Sequence, residues 1–187
     1  MKKVLLGLVI VIFFAFAIVG FLNQPQRVTG KIKDEEYTEI METDLKYDYP
    51  ENPMDVVKAY CRIEELLYSY KFEGKKEGRF EELMNQQLEL LDEELIEYSG
   101  GKDKIIISTR DSVNQFLDNK SKIIDVKYKM AADQIDDEGN LIKFVDVILY
   151  VNAGGGDDVY RSYALRRDED RRWKIFTYAN IEPFSIS

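Results

Sequence analysis

The chain contains no histidine and a single cysteine, Cys61. The missing histidine removes the commonest general base near neutral pH and the commonest zinc ligand. A lone cysteine excludes an internal disulfide, and with no histidine to pair with as a thiolate it is a poor nucleophile. Positive charge is also in deficit: 26 Lys and Arg stand against 35 Asp and Glu, a formal net charge of −9. An acidic chain without a basic stripe is a poor match to a phosphate backbone, so nucleic acid is not an expected partner. There are no internal repeats and no basic amphipathic stretch of the kind that lies on a membrane surface.

What is present begins with Val4 to Leu22 (VLLGLVIVIFFAFAIVGFL), an uncharged apolar run. At about 1.5 Å per residue it nearly matches a hydrocarbon core of roughly 30 Å. It follows Lys2 and Lys3 and is longer than the usual apolar segment of a cleaved signal peptide. The alternative is a signal peptide, for which Ala15-Phe16-Ala17 has the small-x-small form. The expectation is an N-terminal transmembrane signal-anchor over residues 1–22. The positive charges Arg27, Lys31 and Lys33 nearly balance Lys2 and Lys3 across it. The two-lysine head still favours a single-pass protein of the plasma membrane with its C-terminal domain extracytoplasmic. Residues 23–51 are polar and read as a stalk, with a short strand near Tyr37–Met41.

The remainder, residues 52–187, predicts one domain. Asn52-Pro53-Met54-Asp55 is a helix start: Asn52 caps, Pro53 fits the first turn and Asp55 favours the positive end of the dipole. The stripe Val56, Tyr60, Ile63, Leu67 and Tyr70 carries that helix toward Gly74. Lys58, Arg62, Glu65 and Ser69 fall on its other side. A second helix is expected from near Gly78, through Phe80, Leu83, Gln87 and Leu91, with a break near Asp92 and an end at Gly100-Gly101. Lys104 to Ile107 has the look of a short strand. Ser108-Thr109-Arg110-Asp111 resembles a capping box opening a third, short helix with Val113, Phe116 and Leu117.

Four antiparallel strands are expected after that. Residues 122–135 alternate, with Ile124, Val126, Tyr128 and Met130 on one face and Asp125, Lys127 and Lys129 on the other. Residues 141–151 (LIKFVDVILYV) are apolar on both faces, as in a central strand. VYRSYALRR (159–167) and RWKIFTYANI (172–181) follow. Short polar turns, among them Asp136 to Asn140 and Asp168 to Arg171, connect them as a meander. The acidic turns lack the spacing of a calcium loop. Gly154-Gly155-Gly156 lies between strands, so it lacks the helix N-terminus of a phosphate-binding loop.

The order predicts an α+β fold in which three helices pack on a curved antiparallel sheet of about four long strands. It resembles the cone of the nuclear-transport-factor-2-like (ketosteroid-isomerase-like, cystatin-like) superfamily over about Pro53 to Ile181. The Asn52-Pro53…Ala59-Tyr60-Cys61…Glu64 start and Trp173-Lys174-Ile175 also resemble membrane-anchored proteins of anaerobic Gram-positive bacteria that carry a domain of unknown function. The superfamily resemblance implies a range of roles: isomerases, dehydratases, ligand-binding modules and anchored assembly subunits of envelope machines. Isomerases of that kind use an Asp base with a tyrosine-containing oxyanion hole. The nearest equivalents here are Asp146, on the face shared by Phe144, Ile148 and Tyr150, and Tyr60, with Tyr70 as a further hydroxyl. For each the structural role is the favoured one: Asp146 as an ion-pair partner of Arg161 or Arg166, Tyr60 as core. No cofactor or metal is expected. The expected function is a non-enzymatic, membrane-anchored binding or assembly module, touching a protein partner or a second copy through the outer face of the sheet. The alternative is a small-molecule-binding or isomerase/dehydratase-like enzyme using a pocket in the cone.

Overall fold

The computed structural model describes residues 30–137, 139–152 and 158–186. The apolar run 4–22 and the glycine loop 154–156 lie outside the described residues, and within them no helix is long and apolar enough to cross a membrane. The fold is α+β, with five α-helices where three were expected. They are α1 (Gly30–Glu42), α2 (Pro53–Leu67), α3 (Glu77–Leu88), α4 (Glu93–Tyr98) and α5 (Lys102–Asp118). The strands are β1 (Lys122–Met130), β2 (Gln134–Ile135), β3 (Leu141–Asn152), β4 (Val159–Arg167) and β5 (Trp173–Asn180). The sheet runs β1-β3-β4-β5, all pairs antiparallel, with the short β2 also on β3. The meander is as the short polar turns predict, and β3 is central as its two apolar faces predict.

The start of α2 is also as predicted. The Asn52 side chain accepts from the Asp55 N–H at 3.0 Å, and Pro53 occupies the first turn. The helix ends at Leu67, however, not at Gly74. Tyr68 caps it, and Gly74, at φ +60°, instead opens a single 3₁₀ turn (Gly74–Lys76). Asp92 caps α4 and so divides two helices where the sequence shows a break.

Three elements differ from the sequence expectation. The strand expected at Tyr37–Met41 is instead the second half of α1. Tyr37, Ile40 and Met41 fall at helical spacing and pack on the core, Ile40 being buried. The charges around them are matched across helices: Asp34 with Arg79 and Lys76, Glu39 with Arg62, and the Tyr37 hydroxyl on Glu82. The strand expected at Lys104–Ile107 is helical because Ile105 lines up with Val113 and Phe116 on the buried side of α5, and burial overrides β-branched preference. The Ser108 hydroxyl bonds back to the Ile105 carbonyl, as a mid-helix serine does, so it caps nothing.

The third difference is in the first long strand. A register shift between Ile123 and Asp125 turns Ile124 outward, 58% exposed, while Ile123, Val126 and Tyr128 pack on the core. A second irregularity splits the expected 122–135 strand: residues 131–133 lie against 143–144, one residue too many, before β2 resumes pairing. The turns behave as expected. Asp136 closes its hairpin by accepting from the Asn140 N–H at 2.7 Å, with Gly139 at φ +85° between them. Asp168 accepts likewise from the Arg172 N–H at 2.8 Å.

The core lies between the sheet and helices α2 to α5, filled by Val56, Cys61, Leu67, Phe80, Leu83, Val145, Val147, Tyr163, Leu165, Trp173 and Ile175. The far edge of β5 is covered where Leu91 bridges Ile175 in parallel: the Asp92 N–H bonds the Ile175 carbonyl and the Ile175 N–H bonds the Leu90 carbonyl.

Candidate functional site

Residues directly opposite in an antiparallel pair share a face. Val145 pairs with Tyr163 and Tyr163 with Tyr178, and Val147 pairs with Arg161. Val145, Val147 and Tyr163 are buried against the helices, so this is the inner face. Asp146 pairs with Lys129 and Ser162, hence on the opposite face. The two sequence candidates are therefore not brought together: Tyr60 faces the interior from α2, and Asp146 stands on the far side of the sheet. Neither cation considered as a partner for Asp146 reaches it. Arg161 engages Glu64, and Arg166 holds Asp92 through both Nε and Nη2, at 2.9 and 2.7 Å. Tyr70 lies beyond the end of α2, its ring 4.5 Å from that of Phe72.

What the fold does assemble inside is a buried ion pair. Helical spacing carries Val57, Cys61 and Glu64 of α2 inward, and strand alternation carries Arg161 and Tyr163 of β4 to meet them. Arg161 Nη1 donates to Glu64 Oε1 and Oε2 at 3.1 and 3.2 Å and to the Tyr163 hydroxyl at 2.6 Å. Arg161 is 4% exposed and Glu64 is 9% exposed. Burial opposes the Arg161 charge, but the Glu64 carboxylate and the surrounding tyrosines outweigh it and hold the guanidinium above its ordinary range. The Tyr60 and Tyr178 rings lie 5.6 Å from that of Tyr163, and the guanidinium stands 5.3 Å from the Tyr178 centroid.

Beside this pair lies a cavity of about 60 Å³, its wall including Tyr60, Glu64, Gln87, Ser112, Arg161 and Tyr178. Typical ligand pockets start at roughly 300 Å³. Burial, reinforced by Tyr178 and Glu64, pushes the Tyr60 hydroxyl well above its ordinary value, so it stays a donor. Burial, with Glu64 nearby, raises the Cys61 thiol as well. The thiol lies 3.9 Å from the Tyr163 hydroxyl and is inert as a nucleophile. The inner site can hold and orient a polar group, but it offers neither an activated nucleophile nor a free base.

One carboxyl stands out on α2. Glu65, on the side that the sequence stripe assigns to solvent, is half-buried. Burial first, then Glu36, Glu64 and Asp125, raises its pKa to about 7. A shallow groove of about 510 Å³ lies near the β4–β5 turn, lined among others by Asp92, Arg166, Asp168, Arg172 and Lys174. Its charges are largely matched: Arg166 with Asp92 and Glu94, Arg172 with Asp168 and Asp170. Lys174 donates to the Glu89 carbonyl and rests 4.7 Å from the Tyr49 centroid. No cluster of metal-ligating side chains occurs among the described residues.

Glu64 and Arg161 are the buried charged residues that periodicity alone does not single out. The signal for them is chemical: a Glu on the inward stripe of a capped helix, and an Arg at an inward position of a strand between apolar neighbours. A family model described as a domain of unknown function (DUF6715) matches residues 1–178. No curated protein and no solved structure matches the chain.

Proposed function

The chain belongs to this family, and we propose that it is a non-enzymatic binding or assembly module, held at the membrane by residues 4–22 with its folded domain outside the cytoplasm. The observation that carries the reading is how little space the interior leaves. The helices and sheet fill the space between them to a cavity of about 60 Å³, and the one acidic candidate for a base, Asp146, lies across the sheet from it. A cone-like α+β domain of the nuclear-transport-factor-2 type, used for assembly and not for catalysis, accounts for both facts. Apolar surface supports the same reading. Ile135 and Leu141, paired across the β2–β3 turn, are 73% and 44% exposed, and Met130 at the end of β1 is 40% exposed. Large apolar side chains gathered at one hairpin of an acidic protein suit a contact with another protein or a second copy.

The test uses the full chain in intact cells. With Glu97→Cys as an exposed reporter and Cys61 buried, a membrane-impermeant maleimide labels the membrane-fraction protein if the domain is extracytoplasmic. A photo-crosslinking residue at Ile135 then yields a defined adduct, either a dimer or one partner, that is absent when the same residue replaces Glu93. A soluble, unlabelled chain overturns the tether; equal adducts at both positions overturn the hairpin contact.

A further inference from the structure

The sheet ends at β1, which pairs only with β3 among the described strands. Just past β1 the Ala131 N–H bonds the Phe144 carbonyl at 3.0 Å. An antiparallel ladder turns alternate residues to the partner strand, so Lys127 and Lys129 direct their backbone groups at β3. Val126, Tyr128 and Met130 turn theirs to the opposite, unpaired side. The Val126 N–H behaves accordingly: it meets no strand and donates to its neighbour's carboxylate, Asp125 Oδ1, at 3.0 Å. The backbone of Tyr128 and Met130 therefore offers rungs to a further strand.

The side chains along this edge specify what such a strand must carry. Val126 and Tyr128 pack toward the core, and Met130, opposite Val145, stands on their face. Lys127 and Lys129, opposite Ile148 and Asp146, stand on the outer face and are exposed. Neither makes an ion pair among the described residues, whereas Arg62, Arg79, Lys143, Arg161, Arg166 and Arg172 all do. Lysines on an edge repel a second lysine-bearing edge. The same charges attract carboxylates placed opposite them. Asp125, already engaged by the Val126 N–H, ends the positive stretch. At the other end the edge continues, beyond residues 131–133, into β2 and the exposed Ile135. We propose that the β1 edge binds an extended segment of another protein in which acidic residues alternate with apolar ones. The segment adds as a strand, its carboxylates opposite Lys127 and Lys129 and its apolar side chains on the face of Val126, Tyr128 and Met130. This rests on the assembly reading above and names the chemistry of the partner.

The probe is a fluorescent eight-residue peptide alternating glutamate with valine, titrated by anisotropy onto the full chain in a nonionic detergent. It is expected to bind saturably with a Kd below about 1 mM. The same peptide with lysine for glutamate should bind at least about tenfold more weakly. Lys127→Thr combined with Lys129→Thr keeps strand-forming residues at two exposed positions and should weaken the acidic peptide about fivefold. Methyl groups on the valine nitrogens of the peptide, or in a second peptide on its glutamate nitrogens, read the backbone. An added strand uses one edge of its backbone, so one methylated set abolishes binding and the other leaves it. No saturable binding of the acidic peptide overturns the proposal. So do equal binding of the lysine peptide, a double variant that binds as the wild type does, or a response to both methylated sets or to neither. Failure here with the Ile135 adduct intact strikes the edge alone; peptide binding without that adduct supports the edge and strikes the hairpin contact.

Discussion

Arg161 of β4 closes on Glu64 of α2 at 3.1 Å across a sequence separation of 97 residues. It is a buried ionic link between α2 and the sheet. Removing one partner leaves the other charge buried and alone, which costs about 3–5 kcal/mol, whereas replacing both by apolar side chains is often near neutral. Arg161→Met or Glu64→Leu alone should therefore lower the unfolding free energy by several kcal/mol, and the double variant should recover most of it. Urea unfolding of the three variants measures the coupling. Additive losses would mean that the pair does not act as a unit.

Glu65 gives the fold a dependence on pH. Its pKa in the folded state, raised to about 7 from the ordinary 4.5, makes the folded chain hold a proton that the unfolded chain releases. Stability from this group is full below pH 4.5 and falls as pH rises toward 7, by an amount on the order of 1–2 kcal/mol once screening at a half-buried site is allowed for. Glu65→Gln should flatten that part of the stability–pH curve. Thermal melts at closely spaced pH values between 4 and 8 decide it, and an unchanged slope in the variant would remove Glu65 as the cause.

Helix α1 is part of the folded body and not a solvated stalk from Asp34 onward, because Ile40 is 6% exposed and packs on the core. Truncating a buried aliphatic side chain costs about 2–5 kcal/mol. Ile40→Ala should destabilise the domain in that range, while Glu35→Ala, on an exposed position of the same helix, should stay within about 0.5 kcal/mol. Hydrogen exchange adds a second reading: amides of residues 37–42 should be protected in the wild type and lose protection with Ile40→Ala.

The parts of the fold legible in the sequence are those governed by local chemistry. Asn52-Pro53 specifies its helix start through one cap and one fixed dihedral, and the run 141–151, apolar on both faces, marks a central strand whatever surrounds it. Helices α1 and α5 were hidden for opposite reasons. Dense charge masks the Tyr37–Ile40–Met41 stripe, since the matching Arg62, Lys76 and Arg79 lie far along the chain. In α5 the run Ile105-Ile106-Ile107 has strand character locally, and only the burial of Ile105 in the core reveals a helix. The site depends on which face of the sheet turns inward. Alternation shows that Asp146 and Val147 face opposite ways but not which is inside, so Asp146 stands out in the sequence while Arg161, paired with Val147, does not.

The bridge from Leu91 to Ile175 has a consequence for self-association. It occupies the hydrogen-bonding groups of Ile175 at one border of the sheet, while the other border, β1, pairs only with β3 among the described strands and carries Lys122, Lys127 and Lys129 along it. At Ile175 the β5 border has no backbone group left for another chain to pair with, and the lysines along β1 set like charges against a second copy aligned there.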